Sequence, residues 1–499
     1  MVRSKFFQRR KKKSSLESPQ ENLPLSQPPV NKWLVTIAIL LGSLLAVIDT
    51  SIVNVAIPQI QTDFRASIDE ISSVVTFYII SNVIVMPLNG YIIALWGRKQ
   101  SVAGAIILFT VASLLCGLAW NLPVLVFFRI LQGLSSGVLL PSSQAILLET
   151  FPQEEHGKAM SILGVGTLVG PTLSPVLGGY LTDIFGWRAI FVINIPLGII
   201  AAVMAILFIY NPPYINKPQG KFDWPGLIAL VIGLSSLQYA LESGQRQDWL
   251  QSKLIISLLV VGVLALTYLV YRELVTRYPI IDLSVFSNLT FVAGNILAVL
   301  TGFILFGILF ILPLFMSQIL HYDALAIGMT LMPGTLATGL VMPLAGLLAD
   351  RLDPRIPIGI GIAFASAGTW QLSHLTMQSG YWDLFWPQIW RGIGLGLVFV
   401  PMSSATVGGV SKDKRASASG LFNLIHQLGG SVGIAGLTIM LQRLQAFYIS
   451  NPSLKDNQQA VALAYSNLFY YSALIFIMSY LALLFIRVRR SSQTHLPIL

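Results

Sequence analysis

Charged residues make up only 10% of these 499 residues, against about 25% in an ordinary soluble protein, and that scarcity excludes a water-exposed surface over most of the chain. There is a single cysteine, Cys116, inside an apolar block, so neither a disulfide framework nor a cysteine metal site is to be expected. The five histidines have no metal-ligand spacing. Also missing are a phosphate-binding loop, a nucleophile elbow and a clustered acid pair, which argues against an enzyme and against any cofactor. Nor do the first 31 residues read as a cleavable signal: they are polar and basic, and the first apolar block, from Trp33, is too long for one.

What is abundant is hydrophobicity, at 55% of residues and a mean hydropathy of +0.73. It comes in blocks near twenty residues, the length a helix needs to cross about 30 Å of hydrocarbon. The pattern predicts an all-α membrane protein with fourteen spans, from Trp33–Ile57 and Ile71–Leu95 through Met160–Leu181 to Leu468–Ile486. A formal charge of +10 could suggest nucleic acid, but the basic residues have a topological explanation. If spans alternate, 23 Lys and Arg fall on the side of the N-terminus, 6 on the other, and Arg129 and Arg391 within or at the edge of spans. By the positive-inside rule both termini are then cytoplasmic, in the plasma (inner) membrane, with no nucleic-acid partner expected.

The chain repeats itself. Gly90 with Gly97-Arg98-Lys99 after the second span matches Gly346 with Asp350-Arg351 after the tenth; Arg129-Ile-Leu-Gln132-Gly133 with Gly137 in the fourth matches Arg391-Gly392 in the twelfth. Gly90 to Gly346 and Arg129 to Arg391 are 256 and 262 residues apart, so two bundles of six helices flank two extra central helices. The expected division is a disordered basic tail at 1–31, a six-helix bundle at 32–210, a linker with two extra helices at 211–278, a second bundle at 279–490 and a tail at 491–499.

Asp49, deep in the first span, is costly there, by about 2.5–3.5 kcal/mol on insertion scales. It either exchanges protons during transport or is a structural residue bonded to Thr50 or Asn54. Arg129 must face protein and either tunes Asp49 or clamps backbone carbonyls. Arg391 follows Trp386 and Trp390, and snorkelling to the interface explains it. His426 is a second protonatable group or a hydrogen-bonded structural one. In the fifth span Gly166, Gly170, Pro171, Pro175, Gly178 and Gly179 make a small, bendable face, expected at the interface of the two bundles.

These residues resemble the fourteen-span drug:proton antiporters of the major facilitator superfamily, the EmrB/QacA type, and its EmrB-like branch in particular. The likeness runs from Trp33 to Arg490 and rests on Asp49-Thr-Ser-Ile-Val-Asn54 through Pro58, Arg129 with Gln132 and Gly133, Gly166 to Gly179, Trp187 to Pro196, Phe222-Asp-Trp and Leu421 to Ser431. It implies the major facilitator fold and proton-coupled export of amphipathic drugs or other toxic small molecules by alternating access. It further implies coupling at Asp49 and Arg129, and, where the host has two membranes, a periplasmic adaptor and an outer-membrane channel. The chain departs from the pattern at Ala94 and Leu95, where an acid and an arginine are usual, and at Ser174, where glycine is. Export of one defined metabolite, lipid or siderophore stays open, as, more remotely, do a membrane enzyme and a sensor that binds without transporting.

Overall fold

The computed structural model describes residues 31–213, 222–247, 249–450 and 457–485; the terminal tails inferred above, apart from Asn31, lie outside them. No strand occurs among the described residues. Among the described residues fourteen long helical segments follow one another: α1 (Lys32–Phe64), α2 (Glu70–Trp96), α3 (Arg98–Gly117), α4 (Leu122–Thr150), α5 (His156–Phe185), α6 (Ala189–Phe208), α7 (Trp224–Ser243), α8 (Lys253–Val275), α9 (Leu289–Gln318), α10 (Ala324–Arg351), α11 (Arg355–Leu372), α12 (Tyr381–Gly408), α13 (Arg415–Ile449) and α14 (Asn457–Leu483). Among the described residues, eleven are long and apolar enough to cross a membrane; α5, α11 and α12 complete the series.

Helix starts and stops follow local chemistry. Asn121, Ser252 and Asp323 each accept a backbone N–H of the first turn of α4, α8 and α10, satisfying donors the helix leaves free. Gly97 ends α2 at φ 87°, a backbone region that L side chains rarely adopt. Pro87 has no N–H to give, and α2 passes through a 3-10 turn at Met86–Leu88 rather than running straight. The last helix begins at Asn457, eleven residues before the expected Leu468: Gln458 and Gln459 look like loop residues, yet Ala460, Ala462, Ala464 and Tyr465 are buried by packing.

The first six helices pack mainly among themselves, α1 on α5, α4 and α6, and α2 and α3 on α4. The last six do likewise, α9 on α13, and α12 on both α10 and α11. Between these sets run α5 against α10 and α2 and α4 against α13. The extra pair α7–α8 packs on itself, and α7 reaches both α2 and α13. Much of α8 is apolar and exposed, as a lipid-facing helix would be.

Contacts between the two sets gather at the face where α1 begins, the terminal face. Asp350 at the end of α10 accepts the Gly157 (2.5 Å) and Lys158 (2.9 Å) amides at the start of α5. Arg415 donates to the Leu148 carbonyl, Ser419 to the Pro141 carbonyl (2.6 Å), and Gln144 joins Ser403 (2.6 Å) and Asn423 (2.8 Å). Glycine allows the approach: a Cβ on Gly90 would lie 1.9 Å from Ser417 Oγ, and one on Gly346 2.5 Å from the Gly157 carbonyl. The repeated glycines thus hold equivalent crossings, α2 on α13 and α10 on α5.

Candidate functional site

Asp49 sits midway along α1 and is wholly buried. Its Oδ2 accepts Arg129 Nη1 of α4 at 2.5 Å; its Oδ1 accepts Gln132 Nε2 at 2.8 Å and Asn194 Nδ2 of α6 at 3.2 Å. Gln132, one turn along from Arg129, also accepts from the guanidinium at 2.7 Å. Arg129 Nε donates to the Val74 carbonyl of α2 at 3.2 Å, and its guanidinium carbon lies 4.0 Å from the Tyr78 ring centroid. Arg129 therefore contacts both Asp49 and a backbone carbonyl.

The network extends through Asn194 to Ser113 (3.1 Å) and from Ser113 to the Phe191 carbonyl (2.9 Å), and Tyr78 meets Thr50 (3.2 Å). Five helices contribute, so the pair reports how α1, α2, α3, α4 and α6 stand to one another. Ile52, Val53, Ala56, Ile60, Ile71, Val74, Trp187 and Phe191 form an apolar layer between it and the face opposite the terminal one. A buried ion pair is tolerable when hydrogen bonds hold its remaining groups, and here Gln132 and Asn194 donate to Asp49 while Gln132 and the Val74 carbonyl accept from Arg129.

Other expected residues fall elsewhere. Asn54 is exposed, and its side chain donates to the Thr50 carbonyl rather than to Asp49. His426 on α13 is ringed by Phe306, Phe399 and Phe422, at 5.8, 5.8 and 6.4 Å, and its Nε2 is buried without a hydrogen-bond partner among the described residues. It belongs to the other set of helices and is not brought to Asp49. Arg391 does not snorkel: it is buried and donates to Gln388 at 2.5 Å.

The small residues of α5 divide their work. Gly166, Gly170 and Gly178 lie against Leu40, Val47 and Ile52 of α1, within the first set of helices, whereas Gly157 and Gly164 meet α10. The expected placement of the whole stretch between bundles is corrected accordingly: four-residue spacing marks a packing face without naming its partner. A Cβ at Gly179 would meet nothing within 4 Å, and the side chains of Pro171 and Pro175 fall outside the described residues. Gly133 and Gly137 admit the backbone of α2, at Tyr78 and Asn82.

In the basic turns, Arg98 forms a buried ion pair with Glu149, the Lys99 amide donates to Asn211 (2.9 Å), Asp350 caps α5 and Arg351 is exposed. Three participants had not been singled out: Asn194 and Glu149, and Gln238 of α7, whose Nε2 links Glu242 (3.0 Å) to Ser431 of α13 (2.9 Å). Only Asn194 carried a signal, as the one amide among the apolar residues of α6.

Residues 39–434 match the Major Facilitator Superfamily. The chain belongs to that superfamily. Within it, the multidrug export protein EmrB of Haemophilus influenzae is 34% identical over 418 residues, 83% of this chain and 81% of that protein. The multidrug export protein EmrB of Escherichia coli K12 is 32% identical over 408 residues, covering 82% and 80%. This is therefore an EmrB-like major facilitator. The crystal structure of the human organic anion transporter MFSD10 superposes with a TM-score of 0.62 at 15% identity, over 90% of this chain and all of that one, which supports the fold alone. A multi-pass transporter fold and a buried, hydrogen-bonded ion pair thus occur in one chain.

Proposed function

We propose that this major facilitator exports amphipathic drugs or other toxic small molecules across the inner membrane in exchange for protons, with both termini cytoplasmic. The observation that carries the coupling is the Asp49–Arg129 pair. Since Asp49 is sealed inside the first set of helices, it does not touch substrate in this conformer. A proton on Asp49 would remove its hold on Arg129 and loosen α1 against α4, so proton and substrate compete through helix position. His426 in its aromatic box is the second protonatable group.

With the termini cytoplasmic, the terminal-face contacts support reading this conformer as closed toward the cytoplasm, with the glycine crossings Gly90–Ser417 and Gly346–Gly157 as the joints that part in the other state. In a host with two membranes, a periplasmic adaptor and an outer-membrane channel would carry the substrate onward. One proton crossing about 150 mV supplies about 3.5 kcal/mol, enough for more than a hundredfold gradient of a neutral substrate.

The test is dye efflux from energised vesicles with the pH gradient and the potential clamped separately. The wild-type protein should concentrate several unrelated dyes. Asp49→Asn at equal membrane level should bind them without concentrating them. A mutant that pumps like wild type makes Asp49 structural, and a wild type that moves no dye points to one dedicated metabolite.

A further inference from the structure

The helices without a counterpart in the repeat, α7 and α8, carry two acids outside the site described above. Asp223 caps α7: its Oδ1 accepts the Gly226 amide (3.1 Å) and Arg272 Nε of α8 (2.6 Å). Glu273, next to Arg272, accepts the Ile281 amide on Oε2 (3.3 Å). The other oxygen of each, Asp223 Oδ2 and Glu273 Oε1, is buried with no hydrogen-bond partner among the described residues, in side chains of residues only 4% and 6% exposed.

Both oxygens border the same small space. A Cβ on Gly226 would lie 2.7 Å from Asp223 Oδ2 and 3.3 Å from Glu273 Oε1, and the sum of these distances, 6.0 Å, is the largest separation the oxygens can have. The charged and titratable groups around them are Arg272 and Tyr268 on α8, Tyr91 of α2 across the Phe222 ring, and, further along the connecting segment, Asp282 beside Lys414 (3.7 Å). Arg272 neutralises one carboxylate, and the second is left as a buried excess charge, which needs a cation or a proton. Calcium takes six to eight oxygen ligands and magnesium a near-ideal octahedron. Two free oxygens provide neither, but they suffice for a proton.

We propose that Glu273 keeps its proton at neutral pH beside the Asp223–Arg272 ion pair, an arrangement that pins α7 to α8 and to the segment leading into α9. That segment is in turn held by Lys414, which donates to Ser284 (2.5 Å) and adjoins Arg415 of the terminal-face joint. Loss of the proton sets two carboxylates against each other beside Ile281 and slackens the anchor of the joint. The site responds to pH at the terminal face and does not depend on what the protein transports.

Infrared difference spectroscopy on the full chain in nanodiscs tests it. At pH 7 the wild-type protein should show a protonated-carboxyl C=O band that disappears on alkaline titration and is absent in both Glu273→Gln and Asp223→Asn. Its melting midpoint should fall as pH rises through that titration, because ionising Glu273 sets two buried carboxylates against each other beside one guanidinium, and in Glu273→Gln this fall should be absent. A band that survives in both variants belongs to another group and overturns the assignment. So does a wild type without the band at pH 7, or one whose midpoint is raised by MgCl2 or CaCl2 while that of Glu273→Gln is not, since a metal would then hold the site. The wild-type titration needs no variant to fold.

Discussion

Replacing Asp49 by Asn removes the carboxylate that faces Arg129 and leaves a guanidinium, 1% exposed, with the Gln132 and Val74 oxygens as acceptors. Removing one partner of a buried pair costs about 3–5 kcal/mol, because the remaining charge can neither reach water nor find compensation. The converse change, Arg129→Leu, leaves the buried Asp49 with only the Gln132 and Asn194 donors and should fall in the same range. Combining them removes both charges, so the double variant should be more stable than the sum of the single losses by about 1–3 kcal/mol, the range seen for groups sharing one network. Denaturant or thermal unfolding in a fixed detergent measures the cycle, and the vesicle efflux assay runs alongside it. The double variant should recover stability without recovering proton-driven accumulation, which separates folding from coupling. Additive single losses, or losses below about 0.5 kcal/mol as at an ordinary surface position, would refute the claim that this pair ties α1 to α4.

Other expectations concern the joints. Asp350→Asn weakens two charge-assisted bonds to the start of α5, each worth about 1.5–3 kcal/mol, and should shift spin-label distances between α5 and α10 at the terminal face toward the separated state; unchanged distances would make Asp350 a local helix cap only. Gly346→Ala sets a Cβ 2.5 Å from a backbone oxygen that cannot swing aside, so cysteine labelling at the terminal face should become faster, while Gly179→Ala, with nothing within 4 Å, should leave it unchanged. Lys32 donates to Glu155 at 2.7 Å and holds that carboxyl below the usual carboxylate range. Its contribution is therefore present above the unfolded value of about 4.3 and lost as pH falls through the lower folded value, so wild type and Glu155→Gln should converge in melting midpoint in acid.

Much of this protein was legible in the chain because a membrane imposes a one-dimensional rule. A span must be apolar for about twenty residues and must satisfy its own backbone, so hydropathy yields most of the helical segments and their order, and the repeated glycine and arginine motifs mark the two added ones. The same rule singles out Asp49 and Arg129, since a charge in lipid is too costly to be incidental. What hydropathy cannot say is which side chains meet. That Asp49 is locked to Arg129, Gln132 and Asn194, rather than to Asn54, depends on three helices converging from positions up to 145 residues apart. That Arg391 is buried, that Gly166 and Gly170 face α1 and Gly157 faces α10, and that Asp223 and Glu273 share one space are likewise decided by helix rotation and crossing. Every face of a helix in lipid is apolar, so the pattern along a span does not mark the side that turns inward; only the packed tertiary structure assigns it.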